Sequence, residues 1–321
     1  MNKWTGRLLG LAASVVVSFS QAQAGERVIF GIGVDPTFAQ VVIAKEKGFF
    51  ESNGIDAVVK TFGFGSLTLD AVLAGETDVA MATELPTISA RVKGDATVEV
   101  AANYTAPNYN AVVTRKHINA ASDLVGKTLA VKKNTASEYF LTRFLRKYGI
   151  AADQVTVKNV APSEMVPAFD RGDIDAFFVW EPWPSKALEI VEDAKIFARG
   201  GDDGGIYTMI NLISFSKRLA ADRDTATRVL KALVEADEYI AAHPEETVQI
   251  SAKAFNLTEE LAKIALDRVA FRIQLTDEIL AWQQDAAGWL QDAGAIEAAP
   301  DWDGFVDEDL LRSVAPDRVK F

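Results

Sequence analysis

The sequence predicts an α/β protein of two lobes, each built on a parallel sheet, with extra helices toward the C-terminus. Three observations predict it. Short apolar runs alternate with helix-spaced segments from residue 28 onward, the pattern of βαβ units. The alternation breaks at Asn110 and then restarts. From about Asp222 apolar residues recur at helical spacing instead. The length of 321 residues allows about two domains of the usual ~100–200 residues.

Each element follows in order. Residues 28–34 (VIFGIGV) read as a buried strand, broken by Asp35-Pro36-Thr37. Phe38, Val41, Val42 and Lys45 then follow helical spacing. Gly54-Ile55 turns the chain into a strand at 57–62. Gly63-Phe64-Gly65 ends it, and Ser66 is placed to cap a helix that ends at Gly75. A strand at 78–81, a helix opening at Glu84-Leu85-Pro86 and a strand at 98–102 complete the first run. The second run reads as strands at 110–114, 128–131, 155–157 and 175–179, with helices at 139–148 and 163–171. Residues 209–215 read as a returning strand. Ala226, Val229, Leu230, Leu233, Val234 and Ile240 then form one helical stripe, interrupted by Asp237 and stopped at His243-Pro244. Further helices are expected at 259–271 and 277–292.

Composition narrows the function classes. With 49% hydrophobic residues the chain is globular. It has no Cys, which removes disulfides, thiolate metal sites and cysteine nucleophiles together. The two histidines, His117 and His243, lie far apart, so no metal site and no cofactor are expected. A net charge of -12 disfavours nucleic acid. Residues 1–24 read as an export signal: Lys3 and Arg7, an apolar stretch at 8–19, and the small-x-small site Ala22-Gln23-Ala24. Cleavage after Ala24 would leave an acidic chain at -14, and with no Cys after the apolar run no lipid anchor is expected.

Two segments echo each other. Residues 66–84 (SLTLDAVLAGETDVAMATE) align without a gap with 163–181 (SEMVPAFDRGDIDAFFVWE). Ser66, Ala71, Gly75, Asp78 and Glu84 match Ser163, Ala168, Gly172, Asp175 and Glu181. Duplication or a shared βαβ template would each produce this. Either way, two α/β units present similar strand ends, where ligands of open parallel sheets bind.

The candidate site residues lie in those strand-end loops. Thr37, Gly65, Ser66, Asn134, Thr135 and Ser137 stand at helix starts, whose free N–H groups favour an anion or a carbonyl. Ordinary capping is the other reading, since Thr135-Ala136-Ser137-Glu138 forms a capping box. Asp35, Glu84 and Glu181 bring carboxylates, which favour a ligand with N–H donors or positive charge. The alternatives are helix-dipole pairing for Glu84 and a turn-fixing hydrogen bond for Glu181. Phe38, Phe64, Tyr104, Tyr109, Trp180 and Trp183 offer aromatic walls, and Asn110 opens the second run. Gly31-x-Gly33 lacks the third glycine of a dinucleotide fingerprint, and no nucleophile–base pair stands out, so no catalytic residue is assigned.

Five segments together resemble a known family: the export signal, FGIGVDPTFAQVVIAKEKGFFESNGID (30–56), LAGETDVAM (73–81), DLVGKTLAV (123–131) and RGDIDAFFVWEPW (171–183). They are similar to periplasmic substrate-binding proteins of ABC importers, in the nitrate/sulfonate/taurine and thiamine-precursor (hydroxymethylpyrimidine) binding group. The resemblance implies a type II bilobal periplasmic-binding-protein fold with two hinge strands. Lobe 1 would comprise 25–109 and 207–321, and lobe 2 would comprise 110–206. It implies a monomeric, non-enzymatic periplasmic protein that closes on a small molecule and docks on an inner-membrane permease with its cytoplasmic ATPase. Sulfonate and nitrate binders of the group place small hydroxyl or Gly residues after the third strand, where this chain has Thr83-Glu84. That departure favours a nitrogen-bearing organic ligand, either a pyrimidine or an amine zwitterion such as taurine. A plain sulfonate binder, an exported enzyme on the same fold and a sensor partner are the alternatives. The pyrimidine-synthesising relatives rely on a Cys-rich segment that this chain lacks.

Overall fold

The computed structural model describes residues 25–94, 97–302 and 304–320. The export signal and its cleavage site lie outside the described residues. Among the described residues twelve strands form two sheets. In chain order they are β1 (Glu26–Ile32), β2 (Ile55–Thr61), β3 (Val79–Thr83), β4 (Thr97–Ala106), β5 (Asn110–Arg115), β6 (Thr128–Val131), β7 (Thr156–Asn159), β8 (Ala176–Trp180), β9 (Ala194–Arg199), β10 (Met209–Ser216), β11 (Ala270–Thr276) and β12 (Val319–Lys320). The first sheet has the order β12-β11-β4-β10-β3-β1-β2 and the second β7-β6-β8-β5-β9.

Both sheets have the expected parallel core, to which antiparallel strands are added, so each is mixed. β1 runs parallel to β2 and β3, and β6 runs parallel to β7 and β8. β10 is antiparallel to β3 and β4, and β5 is antiparallel to β8 and β9. The physical reason is the crossing of the chain between sheets. β5 and β10, the segments expected as hinge strands, are each full members of a sheet. Each enters from the other lobe and so meets the parallel core from the opposite direction. The crossings themselves are the loops 107–109 and 200–208.

The C-terminal region is less helical than its stripe suggests. The helix expected at 259–271 ends early, as Glu259–Leu266, and Ala270–Thr276 joins β4 as a strand. Ile273 and Leu275 are buried while Arg272, Gln274 and Thr276 beside them are not, a period of two. The helix Arg223–Ala242 runs through Asp237 unbroken. Asp237 is buried there and accepts from Gln40 Nε2 at 2.9 Å, from the Ile273 N–H at 3.1 Å and from Arg318. An acid in an apolar stripe is thus the tie between that helix, β11 and the C-terminal segment. Two large apolar clusters form the core: one lies under the first sheet, and the other runs from the second sheet across to Tyr104, Met209 and Leu290 on the first sheet's side. Among the described residues no helix is long and apolar enough to cross a membrane.

Candidate ligand-binding site

A narrow gap opens where the strand ends of the two sheets face each other. About 30 Å³ is open to the centre of a water-sized sphere, within about 370 Å³ of empty space counted to the mouth. From the first sheet's side come Asp35, Thr37 and Phe38 beyond β1, and Phe64, Gly65 and Ser66 at a helix start. Thr83, Tyr104, Met209 and Asn211 follow from β3, β4 and β10. Thr135 and Ala136 at a helix start and Trp180 at the end of β8 come from the second sheet's side, and Tyr109 from the crossing.

Among the described residues, Asp35 is the charged group of this gap and no cationic side chain lines it. Its side chain caps the turn Pro36–Phe38. One oxygen, Oδ1, accepts the Thr37 N–H at 3.0 Å, the Thr37 hydroxyl at 2.5 Å and the Tyr109 hydroxyl at 3.2 Å. Burial nevertheless pushes the carboxyl up to about 6, because three neutral donors only partly replace water. The helix Gly65–Leu73 begins at Phe64 without any side-chain cap. Ser66 therefore sits inside the first turn, and the expected Ser66 cap is corrected. A Cβ on Gly65 would come within 3.0 Å of the Met81 carbonyl, so glycine lets this helix start approach β3.

Nine of the fourteen candidates share this gap: Asp35, Thr37, Phe38, Phe64, Gly65, Ser66, Tyr109, Thr135 and Trp180. Thr135 is also a helix cap, accepting the Ser137 N–H at 3.2 Å. The other five are engaged elsewhere. Ser137 donates to the Phe178 carbonyl and accepts the Lys132 N–H, which ties its helix to the sheet. The Asn134 N–H donates to Glu138 Oε2 at 2.7 Å, one residue before the cap, and the Thr135 hydroxyl accepts the Ser137 N–H and not that of Glu138, so the expected capping box is corrected to a simple Thr135 cap. Asn110 is buried with its amide nitrogen 3.3 Å from Met209 Sδ. Glu181 is buried and paired with Arg199 at 2.9 Å and Arg268 at 3.6 Å, and it accepts the Ser185 N–H, so the turn-fixing reading describes it. Glu84 is buried, accepts from Tyr207 at 2.6 Å, and lines a different cavity; desolvation pushes its carboxyl up to about 7. Trp183 lies outside the gap, with Lys186 over its ring.

Met209 and Asn211 are residues the sequence reading missed. The register places Asn211 opposite Thr83 on one side and Tyr104 on the other, and all three line the gap. Among the described residues, no group of His, Cys, Asp or Glu is placed to hold a metal ion. The gap can therefore offer hydroxyl donors, a helix start, one carboxylate and aromatic faces to a small ligand.

Two α/β lobes facing each other across such a gap form the bilobal periplasmic-binding-protein fold. The crystal structure of the periplasmic aliphatic sulphonate binding protein SsuA from Escherichia coli superposes with a TM-score of 0.74 at 21% identity, over 88% of this chain and 92% of that one. The desulfurization enzyme DSZB shares the fold at a TM-score of 0.69 and 15% identity, over 91% of this chain and 99% of that one. The chain belongs to the NMT1/THI5-like family, whose profile matches residues 35–247. A provisionally named binding protein of Brucella abortus is 28% identical over 255 residues, 77% of each chain. The taurine-binding periplasmic protein of Escherichia coli is 28% identical over 197 residues, 58% of this chain and 56% of that one.

Proposed function

We propose that this chain is the solute-binding subunit of an ABC importer, exported to the periplasm and delivering a small nitrogen-bearing organic molecule to a membrane permease. Lobe 1 comprises 25–109 and 207–321, lobe 2 comprises 110–206, and ligand contacts in both favour the closed state. One observation carries the ligand class: among the described residues, Asp35 is buried in an aromatic-walled gap with no cationic side chain. A ligand ammonium or ring N–H would add a cationic or polar partner for this carboxylate, and the aromatic faces suit either a cation or a flat ring.

A taurine-like zwitterion is the reading favoured by a second observation. The side-chain-free start of Gly65–Leu73 and the hydroxyls of Ser66 and Thr83 supply donors for an anionic end. Asp35 takes the ammonium. The names of the two Escherichia coli proteins, taurine-binding and sulphonate-binding, agree with that end of the ligand.

Calorimetry and thermal shift over taurine, alkanesulfonates, aminopyrimidines and nitrate test this. A ligand at ~100 times its dissociation constant stabilises by ~2.7 kcal/mol. The expected result is that Asp35→Asn weakens a nitrogen-bearing ligand by about tenfold or more, ~1.4 kcal/mol. Tight binding of nitrate or an amine-free sulfonate, unaffected by Asp35→Asn, would overturn the ligand class. Recovery of chemically altered ligand by mass spectrometry would favour an enzyme on this fold.

A further inference from the structure

Glu84 and Glu181 hold corresponding places in the two lobes, each directly after the strand that closes its echo segment. Both carboxylates are buried, at 1% and 0% exposure. Their surroundings differ in one respect. Glu181 has guanidinium partners, with Arg199 Nη2 at 2.9 Å and Arg268 Nε at 3.6 Å from Oε1. Among the described residues Glu84 has no cationic partner: the Tyr207 hydroxyl donates to Oε1, its own backbone N–H helps hold the carboxylate, and Oε2 is buried with no hydrogen-bond partner.

A cavity of about 190 Å³ has Glu84 as one wall. Its other walls include Tyr139, Arg143, Tyr207, Trp282 and Asp285. The one cation among them is engaged: Arg143 pairs with Asp285 and donates Nε–H to the Ile206 carbonyl at 3.2 Å. Two acids against one base leave the lining net negative, and three aromatic rings stand in it. A buried carboxylate oxygen without a donor is costly, and a cation beside it removes that cost. The cavity shares no lining residue with the Asp35 gap.

We propose that this cavity is a second binding site, for a small alkylguanidinium or alkylammonium cation whose head meets Glu84 as Arg199 meets Glu181. The aromatic rings receive the cation's alkyl body and add a cation–π contact. Tyr139 and Arg143 belong to the helix Ala136–Lys147 of one lobe, and Trp282 and Asp285 to the helix Asp277–Asp292 packed on the other. An occupant therefore bridges the lobes and favours closure on the first ligand.

Methylguanidinium chloride titrated into the mature chain at a pH of about 8, where Glu84 is ionised, tests this by calorimetry and tryptophan fluorescence. The expected result is one saturable site in the wild type and in Asp35→Asn, weakened about tenfold or more in Glu84→Gln. Should Glu84→Gln not fold, Trp282→Leu carries the test, with loss of the fluorescence response and weakened binding. Absence of saturable binding in the wild type overturns the proposal. So does binding that disappears in Asp35→Asn and persists in Glu84→Gln, which would place the probe in the first gap and leave the reading of that gap intact.

Discussion

Asp78 and Asp175 do the same work in the two lobes: each carboxylate accepts a backbone N–H from a parallel strand, Asp78 from Ile29 at 2.9 Å and Asp175 from Thr128 at 2.8 Å. Each residue's own N–H returns a bond to the same partner's carbonyl. The neighbouring roles repeat too. Lys60 Nζ donates to the Glu76 carbonyl and Lys158 Nζ to the Asp173 carbonyl, both at 2.9 Å. Gly75 and Gly172 end their helices at φ of 74° and 80°, where a side chain would be strained. A shared backbone template alone does not require the same acid and the same lysine.

Removing this clamp should destabilise the second lobe. Asp175→Ala leaves the Thr128 N–H without its charged acceptor, a loss of about 1–3 kcal/mol. Asp175→Asn keeps an acceptor oxygen and should cost clearly less. Urea midpoints at unchanged slope measure both. Equal costs for Asn and Ala would show that the carboxylate bond is not the cause.

The echo was legible because it lies within short stretches of sequence, and so were the parallel cores of both sheets. What was not legible came from distant pairings. β11 is missed although Ile273 and Leu275 alternate with polar residues: the expected helix 259–271 runs over its first two residues, because Ala262, Ala265 and Leu266 just before it keep helical spacing, and the rest is unassigned. Asn211 joins the gap only through its register between β3 and β4. Glu181 and Glu84 look alike in sequence, and the difference between them is Arg199 and Arg268, supplied by other elements.

Glu99 should make stability fall as pH rises. It is fully buried, its Oε1 accepts from Gln283 Nε2 at 3.0 Å, and its Oε2 and the Gln283 Oε1 both lack partners. Burial pushes its carboxyl from 4.5 up to about 8. A raised acid contributes stability that is full below 4.5 and is lost as pH climbs through about 8. Asp35 and Glu84, raised to about 6 and about 7, act in the same direction. Glu99→Gln removes the largest of the three and supplies an N–H for Gln283. Its melting temperature should exceed the wild type's by about 2 °C or more at pH ~8, with the advantage gone near pH ~4. An advantage independent of pH would mean that packing, not titration, is responsible.

Arg318 should be far more sensitive than a surface arginine. It is 7% exposed and anchors the C-terminal segment on Asp237, itself 4% exposed. Arg318→Ala strands that carboxylate in a low-dielectric interior, which costs about 3–5 kcal/mol. Replacing both, as Asp237→Asn with Arg318→Met, removes the stranded charge and should recover most of the loss. A double variant no more stable than Arg318→Ala would show that the tie acts through packing of the arginine stem.

The Asp285 contacts between the lobes should act on affinity without touching the proposed ligand. Tyr139 donates to Asp285 at 2.6 Å and Arg143 pairs with it, both reaching across from the other lobe. The Asp285 side chain is 53% exposed, so the pair belongs to the class worth at most about 1 kcal/mol. That bounds the change in the closed population, and so in apparent affinity, at about fivefold. Asp285→Ala should therefore weaken binding in the Asp35 gap modestly at low salt. The difference from wild type should shrink as salt rises, because exposed charges are screened within ~8 Å at physiological ionic strength. Calorimetry at low and high salt reads both quantities. A loss well beyond tenfold would mean that Asp285 organises the closed interface rather than latching it, and no loss at low salt would mean that closure does not depend on this contact.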